Sequence, residues 1–417
     1  MSAERLPQNW KWQTLADIAA NVPNAIVDGP FGSSLKTSDY VQDGIPVLQG
    51  KNISENRFRW TDIRYISEHK AQELRRSSLR PGDILMIKIG SIGYSALVPE
   101  LYGHGFAIIP ANLAKITLDV NKVDTSYVLH WLQSVSSIRY LQSVASKTAQ
   151  PALSLSKIKN LPVPIPELKE QRRIAAILDQ ADALRTKRRQ ALAKLDTLTQ
   201  ALFLEMFGDP IANPHGFERG NINLAVADPK RDVRCGPFGT QLKVAEITPS
   251  GVPLLGIENV HDNRFVASSR KYISPQKADF LRAFDAKAGD VLITRMGTIG
   301  RACVVPAGSV EARFSYHLFR VRPEPDLCTP EFLAATISRG GVFQRELKRL
   351  ARGAIMDGLN TEMLRSIVFL LPPVRLQRVF TDRIGQFERT RDKLTSSLDS
   401  LDRLFASLQH WAFRGEL

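Results

Sequence analysis

The chain repeats itself. Asp28-Gly-Pro-Phe-Gly-Ser-Ser-Leu-Lys36 returns 207 positions later as Cys235-Gly-Pro-Phe-Gly-Thr-Gln-Leu-Lys243. The same offset relates Pro7-Gln8-Asn9-Trp10 to Pro214-His215-Gly216-Phe217, and Gly44-Ile-Pro-Val-Leu48 to Gly251-Val-Pro-Leu-Leu255. Asn56-Arg-Phe58, Tyr65-Ile-Ser67, Gly82-Asp-Ile-Leu85 and Gly90-Ser-Ile-Gly93 likewise meet Asn263-Arg-Phe265, Tyr272-Ile-Ser274, Gly289-Asp-Val-Leu292 and Gly297-Thr-Ile-Gly300. An offset held without insertion over roughly ninety residues is the mark of a duplication. Whatever this chain folds into, it must build it twice, with pseudo-twofold character.

Each half ends on prolines and then on a heptad stripe. After Pro162, Pro164 and Pro166, residues Ile174, Ile177, Ala181, Leu184, Arg188, Ala191, Leu195, Leu198 and Leu202 step by threes and fours, the spacing of a coiled helix. After Pro372 and Pro373, residues Phe380, Ile384, Phe387, Arg391, Leu394, Leu398, Leu401, Phe405 and Leu408 repeat the spacing. About forty residues at 1.5 Å rise give a rod of roughly 60 Å. One such helix reads most simply as packing on its own domain. Two, each closing a matched half, suit an antiparallel pair that spaces two domains.

Ahead of each stripe, short β-rich runs such as Ile45 to Leu48, Ile84 to Ile89 and Leu113 to Leu118 alternate with Gly/Pro turns. A helix follows at Asp124 to Val144. Its counterpart starts at Thr329-Pro330-Glu331, with an N-cap threonine and a proline at the first helical position. The expected fold is therefore α/β (mixed α+β): two pseudo-twofold related domains, 1–160 and 208–371, separated by an antiparallel pair of long coiled-coil helices, 161–207 and 372–417. The breaker-rich run Phe207-Gly-Asp-Pro-Ile-Ala-Asn-Pro-His-Gly216 marks the boundary.

Charge points to the partner. With 56 Lys+Arg against 42 Asp+Glu, a net charge of +14 and a pI near 9.8, the long-range field attracts polyanions, nucleic acid first. The cysteines, Cys235, Cys303 and Cys328, form no CxxC, which argues against a disulfide framework or zinc site and fits a reducing cytoplasm. A signal peptide and an apolar run near twenty residues are both missing, so neither export nor membrane spanning is expected.

The motifs of catalysis are missing too. No GxxxxGK[ST] cradles a phosphate, no GxGxxG opens a helix, and no Asn/Asp-Pro-Pro-aromatic run holds a target amine. The chain is thus expected to bind no S-adenosylmethionine and no metal of its own. Pro325-Asp326 followed by Glu346-Leu347-Lys348 matches a metal-nuclease pattern, the basis of an alternative in which the chain alone cleaves or modifies DNA. Against it, Glu346 falls in a basic helical segment and the first half has Tyr140 near the equivalent place.

What remains is a binding surface presented twice. The Gly-Pro-Phe-Gly turns carry Phe31 and Phe238, hydroxyls at Ser33 and Thr240, and cations at Lys36 and Lys243. Lys88 and Arg295 occupy one repeat position just before the second glycine motif, whose hydroxyls are Ser91 and Thr298. Cations beside exposed amides and hydroxyls make phosphate contacts. Alternatively, the glycines serve only tight turns and the cations are solvated. Asn52 and Asn259 close the third pair of loops. Matched residues cannot tell two half-sites apart, so the mismatches carry base reading: Gln49 and Lys51 against Gly256 and Glu258, Ser34 against Gln241, and Tyr94 against Arg301.

These residues resemble the specificity subunits of type I restriction-modification systems. The resemblance rests on Leu6-Pro7-Gln8-Asn9-Trp10-Lys11-Trp12, Asp28 to Lys36, Gly44 to Ile53, Gly90-Ser-Ile-Gly93, the proline-rich lead into Glu170-Gln171, and the closing Phe413-Arg-Gly-Glu-Leu417. It covers essentially the whole chain. It implies two target-recognition domains, each reading part of a split site in double-stranded DNA, and two conserved helical regions that act as a ruler. It implies docking to two modification (methyltransferase) subunits, which carry S-adenosylmethionine, and assembly with restriction subunits, which use ATP and Mg. The apolar positions Ile174, Ile177, Leu184, Leu195, Leu198, Leu202, Phe380, Ile384, Phe387, Leu398, Leu401 and Leu408 would then form the subunit interface. The second half departs from this pattern in two places that bear on the details of its contact surface and not on the architecture: Cys235 replaces the aspartate of the first copy, and Arg378-Val379-Phe380 stands where Arg172-Arg173-Ile174 does.

Overall fold

The computed structural model describes residues 6–30, 34–146, 151–267, 271–339, 341–352 and 359–417. The chain divides into two compact units, Met1–Arg189 with Ser396–Leu417, and Gln190–Thr395. The long helices do not form bodies of their own. Each gives part of its length to each unit.

In the first unit the strands Ile84–Ile87 and Leu113–Ile116 lie at the centre of a four-stranded antiparallel sheet flanked by Ser95–Leu97 and Ile26–Asp28. Both central strands are buried along their whole length, as expected of a near-continuous apolar run such as Ile-Leu-Met-Ile covered on both faces. A second sheet orders Tyr40–Val41, Arg64–Ile66, Ile45–Val47, Ala107–Ile108 and Ser78–Leu79, with Ile45–Val47 parallel to Ala107–Ile108. Among the described residues the proline-punctuated Pro162–Ile165 pairs only with Lys11–Thr14, the edge setting that a residue without an N–H tolerates. Helices Thr125–Leu132 and Val135–Val144 start at Asp124 and Ser134, whose side chains accept from Tyr127 N and Ser137 N. Their inner faces join the sheet in one core with Leu15, Met86, Tyr127, Trp131 and Leu178.

The second unit repeats this plan. Ala302–Val304, Val291–Thr294, Leu318–Val321 and Val233–Cys235 form the four-stranded sheet in the same spatial order, and Val252–Leu255 runs parallel to Ala312–Phe314 in the other. Its core is more aromatic. Phe203 and Phe207 meet Phe332 and Phe380 with ring centroids 4.9 to 6.1 Å apart.

The long helices span Leu168–Phe207 and Val374–Ala412. Within the first unit they run antiparallel: Arg173 Nη2 donates to Leu417 O at 2.7 Å, and Arg185 Nε to Asp402 Oδ1 at 2.5 Å. The expected seam on the first helix needs correction. Ile174, Ala181, Leu195 and Leu202 are buried as the stripe predicts, but Leu184 and Leu198 are 53% and 50% exposed. The second inward line is Gln171, Leu178 and Thr199, with Arg185 and Leu192 half-buried on it, one residue further round than Ile177, Leu184 and Leu198. A helix that packs on a globular body as well as on a neighbour needs a wider buried face than a two-position seam. On the second helix Phe380, Ile384, Arg391 and Phe405 are buried, while Phe387, Leu398, Leu401 and Leu408 are half-buried. Arg391, the cation within the stripe, is paired with Glu388.

Candidate nucleic-acid interface

The loops singled out by the repeat are braced by a matching asparagine in each unit. In the first, Gln49 N donates to Asn52 Oδ1 at 2.8 Å, and Asn52 Nδ2 donates to Arg59 O and Thr61 O at 3.0 and 2.8 Å. In the second, Gly256 N donates to Asn259 Oδ1 at 2.8 Å and Asn259 Nδ2 to Val266 O at 2.7 Å. Both asparagines are fully buried. They hold the loops from inside and do not face a ligand, which corrects their expected role as contacts. The residues between the braces are the exposed ones: Lys51, 3.8 Å from Asp62, and Glu258, 3.7 Å from Lys271. Gln49 is half-buried.

The glycine turns sit against a second loop. A Cβ on Gly29 would lie 2.1 Å from Pro110 C, and one on Gly236 would lie 2.0 Å from Ser315 O, so backbone contact itself requires glycine there. Lys88 N donates to Asn112 O and Arg295 N to His317 O, each at 3.0 Å, and Leu153 N and Leu359 N close on Lys88 O and Arg295 O at 2.8 and 3.4 Å. The fold thus brings Gly29, Lys88 and Asn112 together, and Gly236, Arg295 and His317. Phe31 and Ser33 fall outside the described residues.

Lys88 and Arg295, read from sequence as phosphate contacts, are only 4% and 7% exposed. Lys88 Nζ lies 2.6 Å from Asp28 Oδ2, with Arg76 Nη2 3.7 Å from the other carboxylate oxygen. Its charge is met inside the protein. Arg295 donates from Nε to Leu359 O at 2.8 Å and from Nη1 to Tyr316 O at 3.1 Å, and its guanidinium lies 4.8 Å from the centre of the Phe238 ring. Burial lowers the pKa of Arg295 from its ordinary value. Burial, then Lys271, lowers that of His317; its imidazole is neutral at pH 7.

Ser34, Lys36, Lys51, Ser91 and Tyr94 in the first unit, and Phe238, Thr240, Gln241, Lys243, Glu258 and Thr298 in the second, are exposed, and Arg301 is half-buried. Gln241 Oε1 accepts from Phe238 N at 3.1 Å, so that side chain caps its own turn. Tyr94 also lines a polar cleft of about 430 Å³ with Arg57, Asp182, Arg185 and Asp402, where the tip of the Ile53–Ser54/Arg57–Phe58 hairpin meets the helices. There Arg57 Nη2 reaches both oxygens of Asp182, at 3.1 and 2.9 Å.

Of the positions expected at a subunit interface, Ile174, Leu195, Leu202, Phe380 and Ile384 lie in this chain's own cores. Ile177, Phe387, Leu398, Leu401 and Leu408 are half-buried, and Leu184 and Leu198 face solvent. The acidic pair of the nuclease pattern is used elsewhere: Asp326 accepts from Arg378 and Glu346 from Arg349, each at 2.9 Å. Sequence reasoning named Gln171 only within a motif and missed its counterpart Gln377; each is wholly buried where a long helix joins its domain. Their signal was a polar residue on the inner face, one turn past the proline run of each half.

A family profile described as type I restriction modification DNA specificity domain matches residues 30–195. The chain is 22% identical over 399 residues to a putative type I restriction enzyme MjaX specificity subunit from Methanocaldococcus jannaschii, covering 91% of this chain and 87% of that protein. It is 21% identical over 443 residues to the StySPI specificity subunit of Salmonella potsdam, covering 100% and 91%. In fold it is similar to the crystal structure of a type I restriction-modification S subunit from M. genitalium, with a TM-score of 0.59 at 15% identity over 98% of both chains.

Proposed function

We infer the function from the family: the chain belongs to the specificity subunits of type I restriction-modification systems, and it recognises DNA sequence without catalysing a reaction itself. In our reading each unit reads one part of a split duplex site, with backbone contacts fixing position and a few side chains reading base edges. Two modest half-site affinities, linked in one chain, combine into specific binding. The helices dock two modification subunits and, through the assembly, restriction subunits. S-adenosylmethionine then belongs to the modification subunits and ATP with Mg to the restriction subunits, in the cytoplasm. Among the described residues no helix is long and apolar enough to cross a membrane.

One observation carries the reading. The loops of the two units share a frame, down to the Asn52 and Asn259 braces, and differ at its exposed points, Lys51 against Glu258 and Ser34 against Gln241. A duplicated frame with different tips suits a protein that must address two different short sequences. The test is to express the chain with its modification subunits, map the methylated site, and measure binding to duplexes whose spacer is lengthened or shortened by one base pair. One base pair turns one half-site by roughly a tenth of a helical turn. Affinity should therefore fall on both sides of a single optimum. Equal affinity at every spacer length refutes the bipartite reading.

A further inference from the structure

The two units meet the same buried cation in different ways. Matching hydrogen bonds place Lys88 and Arg295 at one position of the repeat, each on a backbone strut to Asn112 or His317 and to Leu153 or Leu359. In the first unit Asp28 stands beside the cation at 2.6 Å. In the second that place is taken by Cys235, and Arg76, the outer cation of the first site, is replaced by Ala283. Arg295 is left with two carbonyls, the rings of Phe238 and Phe319, and the nearby Cys235 thiol in place of a carboxylate. These satisfy two donors but carry no net charge, and its Nη2 makes no hydrogen bond among the described residues. Among the described residues no carboxylate meets this guanidinium, and a cation more than nine-tenths buried without one is costly unless an anion completes the site. Phe238, over the guanidinium, is exposed, and the turns that carry Phe238 and follow Arg295 also present exposed hydroxyls at Thr240 and Thr298, donors that suit a phosphate oxygen.

Resting on the DNA-binding reading, we propose that Arg295 of the second unit receives a DNA backbone phosphate, a contact that the first unit has closed off with an internal Lys88–Asp28 ion pair. The two half-sites are then gripped unequally. Both are held through exposed cations such as Lys36 and Lys243, and the second adds a buried guanidinium. The neutral His317 beside Arg295 adds no charge at pH 7, and Glu258 and Lys271, which face His317, offset one another.

The experiment is the salt dependence of binding of the full chain to a random-sequence duplex, measured by fluorescence anisotropy for wild type, Cys235→Asp, Arg295→Gln and Cys235→Ser. Cys235→Asp installs the carboxylate of the first unit and should close the site. With it, and with Arg295→Gln, the slope of log affinity against log salt should become shallower by about 0.9, the loss of one phosphate contact. Cys235→Ser adds no charge and should keep the wild-type slope. An unchanged slope in folded Cys235→Asp or in Arg295→Gln overturns the proposal, as does lower affinity at an unchanged slope, which marks a structural role. If wild type shows no salt-dependent binding, the DNA reading itself has failed, and that result is distinct from wild-type binding with unaltered variants.

Discussion

Gln171 and Gln377 make the same two hydrogen bonds in the two halves of the chain. Gln171 accepts from Asp124 N and donates to Pro166 O, both at 2.9 Å, and Gln377 accepts from Thr329 N at 2.9 Å and donates to Pro372 O at 2.8 Å. Each ties three things at one point: the proline-rich exit strand, the start of a domain helix, and the first turn of a long helix. Both amides are wholly buried. Replacing either with alanine strands a backbone N–H and a carbonyl in the interior, at a cost of about 1–3 kcal/mol. Chemical denaturation of Gln171→Ala and of Gln377→Ala should each show a loss of that size. A loss below about 0.5 kcal/mol would mean that water replaces the amide.

Phe413 gives a second prediction. Its ring packs edge-on against Tyr127 at 5.5 Å and Trp131 at 5.1 Å, inside the core of the first unit. The residues just beyond the second long helix thus belong to a domain built mainly from the other end of the chain. Phe413→Ala should lower stability by about 3–5 kcal/mol, seen as an early unfolding transition in a thermal scan. Tryptophan fluorescence should follow that transition, because Trp131 loses its neighbour.

How much of this could be read from the sequence is clear at particular positions. The repeat and the two long helices were legible because they rest on spacing, which survives whatever the tertiary environment does. The inward faces were less so. Leu184 and Leu198 fit a heptad yet face solvent, because the helix packs on a globular body as well as on a neighbour and its buried face turns toward Leu178 and Thr199. The site was legible as a set of loops but not as a set of contacts. Asn52, Asn259 and Lys88 look on paper like groups awaiting a ligand, but Thr61 and Val266, a few residues further along the same loops, claim the asparagines, and Asp28, far away in the chain, claims Lys88. Side-chain burial depends on which loops meet, and local sequence does not carry that.

The junction between the first long helix and the helix Thr125–Leu132 responds to pH. Asp179 accepts from His130 Nε2 at 2.7 Å and from Ser126 Oγ at 2.9 Å. The His130 hydrogen bond leads the effects that hold its pKa below the ordinary 3.8. A carboxyl with a lowered folded value contributes stability above its ordinary value and loses it as pH falls through the folded one. The Asp179 side chain is 54% exposed, so screening keeps the contribution under about 1 kcal/mol. Asp179→Asn should be slightly less stable than wild type at neutral pH, and the gap should close below pH 3.8. A gap that persists at low pH would assign the effect to packing.

The loop cations and the loop braces should separate in one experiment. Lys36 and Lys243 occupy the same repeat position, both exposed, each on a turn whose backbone N–H is held by an acid three residues on, Asp39 at 2.6 Å or Glu246 at 2.7 Å. Those acids bond the lysine backbone, and the ammonium groups remain at the surface for phosphate. Lys36→Ala and Lys243→Ala should each flatten the salt slope of DNA binding by about 0.9, with no change in thermal stability. Asn52→Ala and Asn259→Ala should do the reverse. Each leaves buried loop carbonyls unpaired and lowers stability by about 1–3 kcal/mol. Their affinity losses should come without a change of slope, since a displaced loop alters which bases are met more than how many phosphates are held. If an asparagine variant instead flattens the slope while the fold stays intact, the loop it braces carries phosphate contacts of its own, and the division between frame and tip fails for that unit.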